Sequence, residues 1–251
     1  MDELQLLIDL HSDGPRQGPG GDRESRLAVV LSGLREMSRL RVADIGCGTG
    51  ASTLVLAREL DARVTAVDFV PEFLARLKSA AELAGVADRV TTLEASMIEL
   101  PFERNSLDAI WSEGAIYNMG FEAGIEAWRK HLKPNGILAV SELTWLTGKR
   151  PAKLQEHWEA EYAEVDTATG KLAILQRLGF SPIGYFVLPQ HCWLDNYYRP
   201  LEQRFDAFLE RHENSEEARA TVAAEEFEIS MYERYAQFFG YGYFIARKTG
   251  D

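Results

Sequence analysis

The sequence predicts a doubly wound α/β domain on a parallel sheet covered on both faces. Short β-branched or aliphatic runs alternate with helical patterns between Val42 and Val140, and a glycine cluster closes the first run. A chain of 251 residues with a 46% hydrophobic share suits one domain that buries about 70% of its unfolded surface. It needs no disulfide or metal framework, and disordered, collagen-like and disulfide-stapled classes are excluded.

Residues 1–10 read as a short amphipathic helix, and residues 11–21, dense in glycine and proline, as a breaker loop. A helix follows from about Arg23 to Met37, with Leu27, Val30, Leu31 and Leu34 on one face. Strands at 42–45, 64–67, 90–93, 107–111 and 137–140 are interleaved with helices over 51–60, 73–84 and 120–132. Lys133 to Gly136 form a turn into the fifth strand. Beyond Glu142 the pattern gives helices at 151–162 and 168–178, a strand at 181–188, a helical stretch over 190–239 and a final strand at 240–248. Glu216, Glu217, Glu225, Glu226 and Glu228 read as a solvated helix face, and no internal repeat is visible.

The net charge of −12 repels phosphate backbones, which argues against a nucleic-acid partner. The start, MDELQLLIDL, has no basic residue, so it is not a secretory signal. No run approaches the roughly 18 apolar residues of a membrane span. Two cysteines, Cys47 and Cys192, fit a reducing compartment and are too few for a zinc cluster. The expectation is a cytoplasmic protein with neither membrane, nucleic-acid nor metal partner, monomeric or homodimeric.

Gly46, Gly48 and Gly50 stand where the first strand meets the first helix of the alternation. Open α/β sheets bind ligands at this edge, and glycines let a backbone approach them closely. The spacing is G-x-G-x-G rather than the G-x-G-x-x-G of dinucleotide sites, and no Gly-Lys-Ser/Thr follows. Asp44 would repel a pyrophosphate and attract a cationic group. Asp68, ending the second strand, suits the two hydroxyls of a ribose. A ligand with a ribose, a cation and no phosphate is described, and S-adenosylmethionine (SAM) fits.

These residues resemble a family. Val42 to Gly50 look like the first motif of class I SAM-dependent methyltransferases, and Val64 to Asp68 like their second. Ser96 to Phe102 look like the adenine segment, and Leu107 to Trp111 and His131 to Leu138 like the fourth and fifth strand motifs. The likeness covers about residues 38–145. It implies a Rossmann-like, seven-stranded sheet whose last strand is antiparallel, preceded by the helical insertion. It also implies that Asp44, Gly46, Cys47, Gly48, Thr49 and Gly50 face the methionine part of SAM, Asp68 and Phe69 the ribose side, and Ser96 and Met97 the adenine. Many relatives carry an acid where this chain has Ser96. Segments Arg16–Gly20 and Trp111–Asn118 look like an uncharacterised bacterial subgroup of small-molecule type.

Methyl transfer is an in-line displacement, in which alignment contributes up to about 7–11 kcal/mol and a base about 10²–10⁴-fold. Candidate catalytic residues are Glu113, Tyr117 and His11, with Glu113 also a contact for the methionine ammonium. Tyr117, Asn118, Glu142, Trp145, His191, Trp193 and Tyr197 are candidate acceptor contacts. The single domain, 1–251, divides into a lid (1–21), a SAM-binding core (38–145) and an acceptor-pocket cap (190–239). In the lid, Arg16 and Gly18 meet the methionine carboxylate, Arg16 as a two-pronged donor.

The expected function is methyl transfer from SAM to a small-molecule acceptor. The alternatives are a SAM-binding sensor without transferase activity and an NAD-dependent oxidoreductase. The second would need the other glycine spacing. Thiol-based arsenic chemistry wants more cysteines, and no Asn-Pro-Pro-Tyr-type motif follows the fourth strand.

Overall fold

A computed structural model describes residues 3–250; Met1, Asp2 and Asp251 lie outside it, and with them the ends of the expected lid and domain. Eight strands form one sheet: β1 (Leu40–Ile45), β2 (Ala62–Asp68), β3 (Val90–Glu94), β4 (Leu107–Glu113), β5 (Leu132–Trp145), β6 (Asp166–Thr167), β7 (Phe180–Val187) and β8 (Phe239–Lys248). Their order is β3-β2-β1-β4-β5-β8-β7, with the two-residue β6 pairing with the end of β5. Only β8 runs against its neighbours, β5 and β7. The seven strands expected are all present, and β6 is an addition between the two helices expected at 151–162 and 168–178.

Period-two alternation explains why near-continuous apolar runs fold as strands. Val42, Ala109, Trp111, Ala139 and Ile245 face one core, while Ala43, Ile45, Ile110, Val140 and Phe244 face the other. Helices α1 (Glu3–Ser12), α2 (Asp22–Ser32) and α3 (Ala51–Glu59) contribute Leu6, Leu10, Val29 and Leu56 to the first core. Helices α4 (Pro71–Leu83), α5 (Phe121–Arg129), α6 (Ala152–Glu161) and α7 (Ala168–Arg177) follow, with Ile125 and Leu175 in the second. Between β7 and β8 lies the expected helical stretch: α8 (Gln190–Trp193), a π-helical turn (Leu194–Tyr198), α9 (Arg199–Glu202), α10 (Phe205–Arg211) and the long α11 (Glu216–Tyr235). No helix among the described residues is long and apolar enough to cross a membrane.

Three local expectations are corrected. Helix α2 stops at Ser32, because Gly33 takes a left-handed conformation (φ 73°) that terminates it. Its apolar stripe also faces outward: Leu27, Val30 and Leu31 are exposed, and the buried face is Ser25, Ala28, Val29 and Ser32. Small side chains let the helix sit close on the α3, β7 and β8 layer. Second, the turn at Lys133–Gly136 lies inside β5, where Asn135 has φ 61° and the register with β4 shifts. Third, α11 is not a solvated acidic face throughout. Glu225 is buried and Glu228 turns inward to accept a hydrogen bond from Tyr198 Oη at 2.8 Å.

Candidate active site

The carboxyl ends of β1, β2 and β4 open into a cavity of about 420 Å³, within the range of small-ligand sites. Its floor is the turn after β1. Gly46, Gly48 and Gly50 have φ of 70°, 54° and 91°, conformations glycine adopts without strain. A Cβ on Gly46 would lie 2.4 Å from Ala115 Cβ, and one on Gly50 would lie 2.1 Å from Leu77. The turn's amides are all engaged within the chain. Gly46 and Cys47 donate to Val67 O, Gly48 to Asp68 Oδ2 at 2.8 Å, Thr49 to Gln17 Oε1 at 2.8 Å, and Gly50 to Cys47 O. No amide of the turn is left for a pyrophosphate, which works against a dinucleotide.

Asp44 lies under this turn, fully buried. Its Oδ2 accepts from Ser52 Oγ (2.8 Å) and Thr53 Oγ1 (2.6 Å), while Oδ1 has no partner. Burial pushes its carboxyl up to about 7 despite these two bonds. Asp68 lines the cavity with Oδ1 bonded to Val70 N and Oδ2 to Gly48 N. Burial raises its pKa too, against backbone hydrogen bonds that lower it.

Phe69, more than half exposed, and Met97 also line the cavity, and Trp128 Nε1 fixes the Met97 carbonyl at 2.9 Å. Ser96 is absent from the lining. Its hydroxyl caps its own turn by accepting from Ile98 N at 3.2 Å. Thr49 and Gly50 also lie off the wall. Thr49 turns to the N-terminal segment, with Oγ1 within 3.4 Å of Gly14 O, Pro15 O and Gln17 Oε1.

Glu113 ends β4 and accepts four side-chain hydrogen bonds: Ser25 Oγ (2.6 Å), Trp111 Nε1 (3.0 Å) and Tyr243 Oη (3.1 Å) on Oε1, and Arg16 Nη1 (3.3 Å) on Oε2. Through Oε2, Glu113 anchors Arg16. Arg16 also donates to Asp22, so both of its prongs meet carboxylates of this chain.

Residues 3–21 cover the cavity. Leu6 and Leu10 of α1 are buried in the core, Asp9 pairs with Arg211 and His212, and Gly20 N donates to Cys192 O. Gln17 ties the segment to itself through His11 O and Gly14 O and to the glycine turn through Thr49. His11 lines the cavity with Nε2 3.0 Å from Glu225 Oε1 and stacks on Tyr197.

A second cavity of about 500 Å³ adjoins the first and shares Gln17, Gly114, Tyr117, Tyr197 and Glu228 with it. Trp193 lines this one and Asn118 the first. Burial and the neighbouring Glu228 raise the Tyr117 phenol. It stays protonated at neutral pH, which suits an orienting donor and not a base.

Glu142, Trp145 and His191 line neither cavity. Glu142 lies mid-strand in β5 opposite Gly242, with Leu143 N on Oε1 and buried Lys171 as its charged neighbour. Trp145 packs in the core under the Arg150 guanidinium. His191 lies 3.4 Å from Glu24 and 3.7 Å from Cys192. These three make the only group of metal-ligating type found among the described residues.

The sequence reading missed Gln17, Glu225 and Glu228, and the aromatic wall from α6 and β8. Gln17 sits in the loop that was singled out. The two glutamates fall one helical turn apart, the spacing that puts residues on one face.

SAM fits the first cavity: Asp68 stands at its edge, unglycinated turn positions would clash, and an unpartnered carboxylate oxygen lies beneath. A family described as "Methyltransferase domain" matches residues 42–136. An uncharacterised protein of Haemophilus influenzae is 24% identical over 176 residues, 68% of this chain and 69% of that one. The 27-O-demethylrifamycin SV methyltransferase of Amycolatopsis mediterranei is 29% identical over 138 residues, 52% of this chain and 48% of that one. The chain spans about a quarter to two thirds of the length of the curated relatives it matches. Among solved structures, a SAM-dependent methyltransferase of Geobacter sulfurreducens with S-adenosylhomocysteine aligns with a TM-score of 0.82 at 23% identity, covering 97% of this chain and 98% of that one. With the glycine turn, Asp68 and the sheet order in place, residues 42–136 match a methyltransferase domain and the whole chain has the fold of these SAM-dependent methyltransferase structures.

Proposed function

We propose that the protein transfers a methyl group from SAM to a small-molecule acceptor in the cytoplasm. The observation that carries this reading is the pair of adjoining cavities. One is floored by a glycine turn with no amide left for phosphate, and the other is lined largely by aromatic side chains. In this reading Asp68 accepts the ribose hydroxyls, Phe69 and Met97 flank the adenine, and Arg16 is held by Glu113 beside the methionine end. SAM supplies an electrophilic methyl group. The chain aligns the acceptor with it, excludes water by means of residues 3–21, and orients the acceptor through Tyr117. Asn118, Trp193 and Tyr197 support the acceptor side.

A sensor without transfer needs only the first cavity, so the adjoining second one favours an enzyme. A homodimer is read at the sheet edge, where Val30, Leu31, Ile183 and Val187 are exposed on α2 and β7. The test is a metabolite panel incubated with SAM and read by S-adenosylhomocysteine release. Acceptor-dependent release is expected. Binding of S-adenosylhomocysteine with no release from any acceptor supports the sensor, and saturable NAD binding without SAM binding sinks the reading.

A further inference from the structure

The second cavity is built from separated parts of the chain. Tyr117 comes from the loop after β4, Trp158 and Tyr162 from the end of α6, Trp193 and Tyr197 from the cap, and Tyr241 from β8. Its charged wall has one sign. Glu161 and Glu228 line it, Glu225 stands at the junction with the first cavity, and no lysine or arginine lines it among the described residues. Arg16, on the neighbouring wall, is already engaged by Glu113 and Asp22. Besides its tyrosines, the other titratable side chain on this wall is His157 from α6, and His11 from α1 lines the first cavity.

One carboxylate oxygen here has no partner at all. Glu225 is 9% exposed; its Oε1 meets His11 Nε2 at 3.0 Å, and its Oε2 accepts no hydrogen bond. Buried carboxylates without a matching cation are costly. Burial, and then the neighbouring Glu225, push the Glu228 carboxyl up to about 7, and a cation beside it would reverse that shift. Aromatic rings add attraction for an ammonium through their negative faces. A phosphorylated or carboxylated acceptor would meet repulsion instead.

Resting on the methyltransferase reading, we propose that the acceptor is an amine on an apolar body, bound as its ammonium in this chamber. Glu225 and Glu228 face the nitrogen, and the rings of Tyr117, Tyr162 and Tyr197 surround it. The ammonium gives its proton to the Glu228 carboxylate, which frees a nitrogen lone pair. That pair forms the N–C bond as the methyl's bond to sulfur breaks. The C–S electron pair returns to sulfur, the sulfonium becomes a thioether, and the positive charge passes to nitrogen.

The test uses the full chain loaded with S-adenosylhomocysteine and three probes of similar shape: phenethylamine, 2-phenylethanol and 3-phenylpropionate. Calorimetric titration should give the amine about 10-fold tighter binding than the alcohol, and the anion the weakest. Glu228→Gln should lose that preference while its S-adenosylhomocysteine affinity is kept, and Glu225→Gln provides the second variant if the first does not fold. No preference for the amine, including no binding of any probe, overturns the inference, as does an undiminished preference in both variants. Failure to bind S-adenosylhomocysteine at all overturns the methyltransferase reading instead.

Discussion

Replacing Glu228 with glutamine should change how stability depends on pH. In the folded protein burial holds the Glu228 proton up to about 7, against 4.5 for an ordinary glutamate. The folded state therefore retains a proton that the unfolded chain has already released across this window. For an acid raised on folding, stability is greatest below pH 4.5 and falls as pH rises towards 7. The gap is 7 − 4.5 = 2.5 units, so at about 1.36 kcal/mol per unit the ceiling is about 3.4 kcal/mol. The side chain lines a cavity that water can enter, which reduces this to about 1–2 kcal/mol. Glutamine keeps the shape and an acceptor for Tyr198 and has no proton to lose. Thermal melts of ligand-free wild type and variant at pH 5 and pH 8 check this. At pH 8 the variant should gain about 2–8 °C relative to its difference from wild type at pH 5, at about 2–4 °C per kcal/mol for a chain of this size. Asp44, which burial also raises to about 7, and Glu142, raised by burial as well, leave a residual pH slope in both proteins. An identical pH 5 to pH 8 drop in wild type and variant would refute the buried-proton argument.

Asp68→Ala should weaken SAM by about 10- to 150-fold, the loss of a hydrogen bond to a charged group. Some stability should go with it, because Gly48 N and Val70 N lose their acceptor; titration and melting read the two effects separately. Ser96→Ala should leave SAM affinity within about twofold, since its hydroxyl serves Ile98 N; a loss beyond about tenfold would put the side chain back at the adenine. Gln17→Ala removes the Gln17 links from the N-terminal segment to Thr49 of the glycine turn. It should weaken SAM and speed protease cutting near Gly18, and cutting of the wild type should slow when SAM is added; rates unaffected by the variant or by SAM would show that the segment does not cover the cofactor.

The central sheet was legible because its signals are local. Apolar runs of four or five residues, glycines at the turn after β1 and Asp68 at the end of β2 lie within short windows of sequence. The ends of elements were less legible, for identifiable reasons. The fifth strand seemed to stop at Val140 because Ser141 and Glu142 are polar, yet β5 continues to Trp145, paired on β8. This moved Glu142 from an expected strand end to mid-strand, beside Lys171. The stripe of Leu27, Val30 and Leu31 on α2 suggested a buried face by spacing alone. Periodicity cannot tell a face packed on the sheet from one left at its edge, and here the smaller side chains are packed.

The second cavity was not legible because no window of sequence contains it. Tyr117, Tyr162, Tyr197 and Tyr241 stand about 35 to 45 positions apart in the chain and meet only through the fold. The same holds for the fit between the N-terminal segment and the cap: Asp9 to Arg211, His11 to Glu225 and Gly20 to Cys192 join residues about 170 to 215 positions apart. These contacts explain why residues 17–19 border both cavities. The segment is pinned to the cap at one end and to the glycine turn by Gln17 at the other, so it forms the shared wall. An inward-turned Glu225 then has a structural reason as well as a chemical one. Its Oε1 holds His11 and hence α1 against α11, while its buried Oε2 accepts no hydrogen bond from the chain.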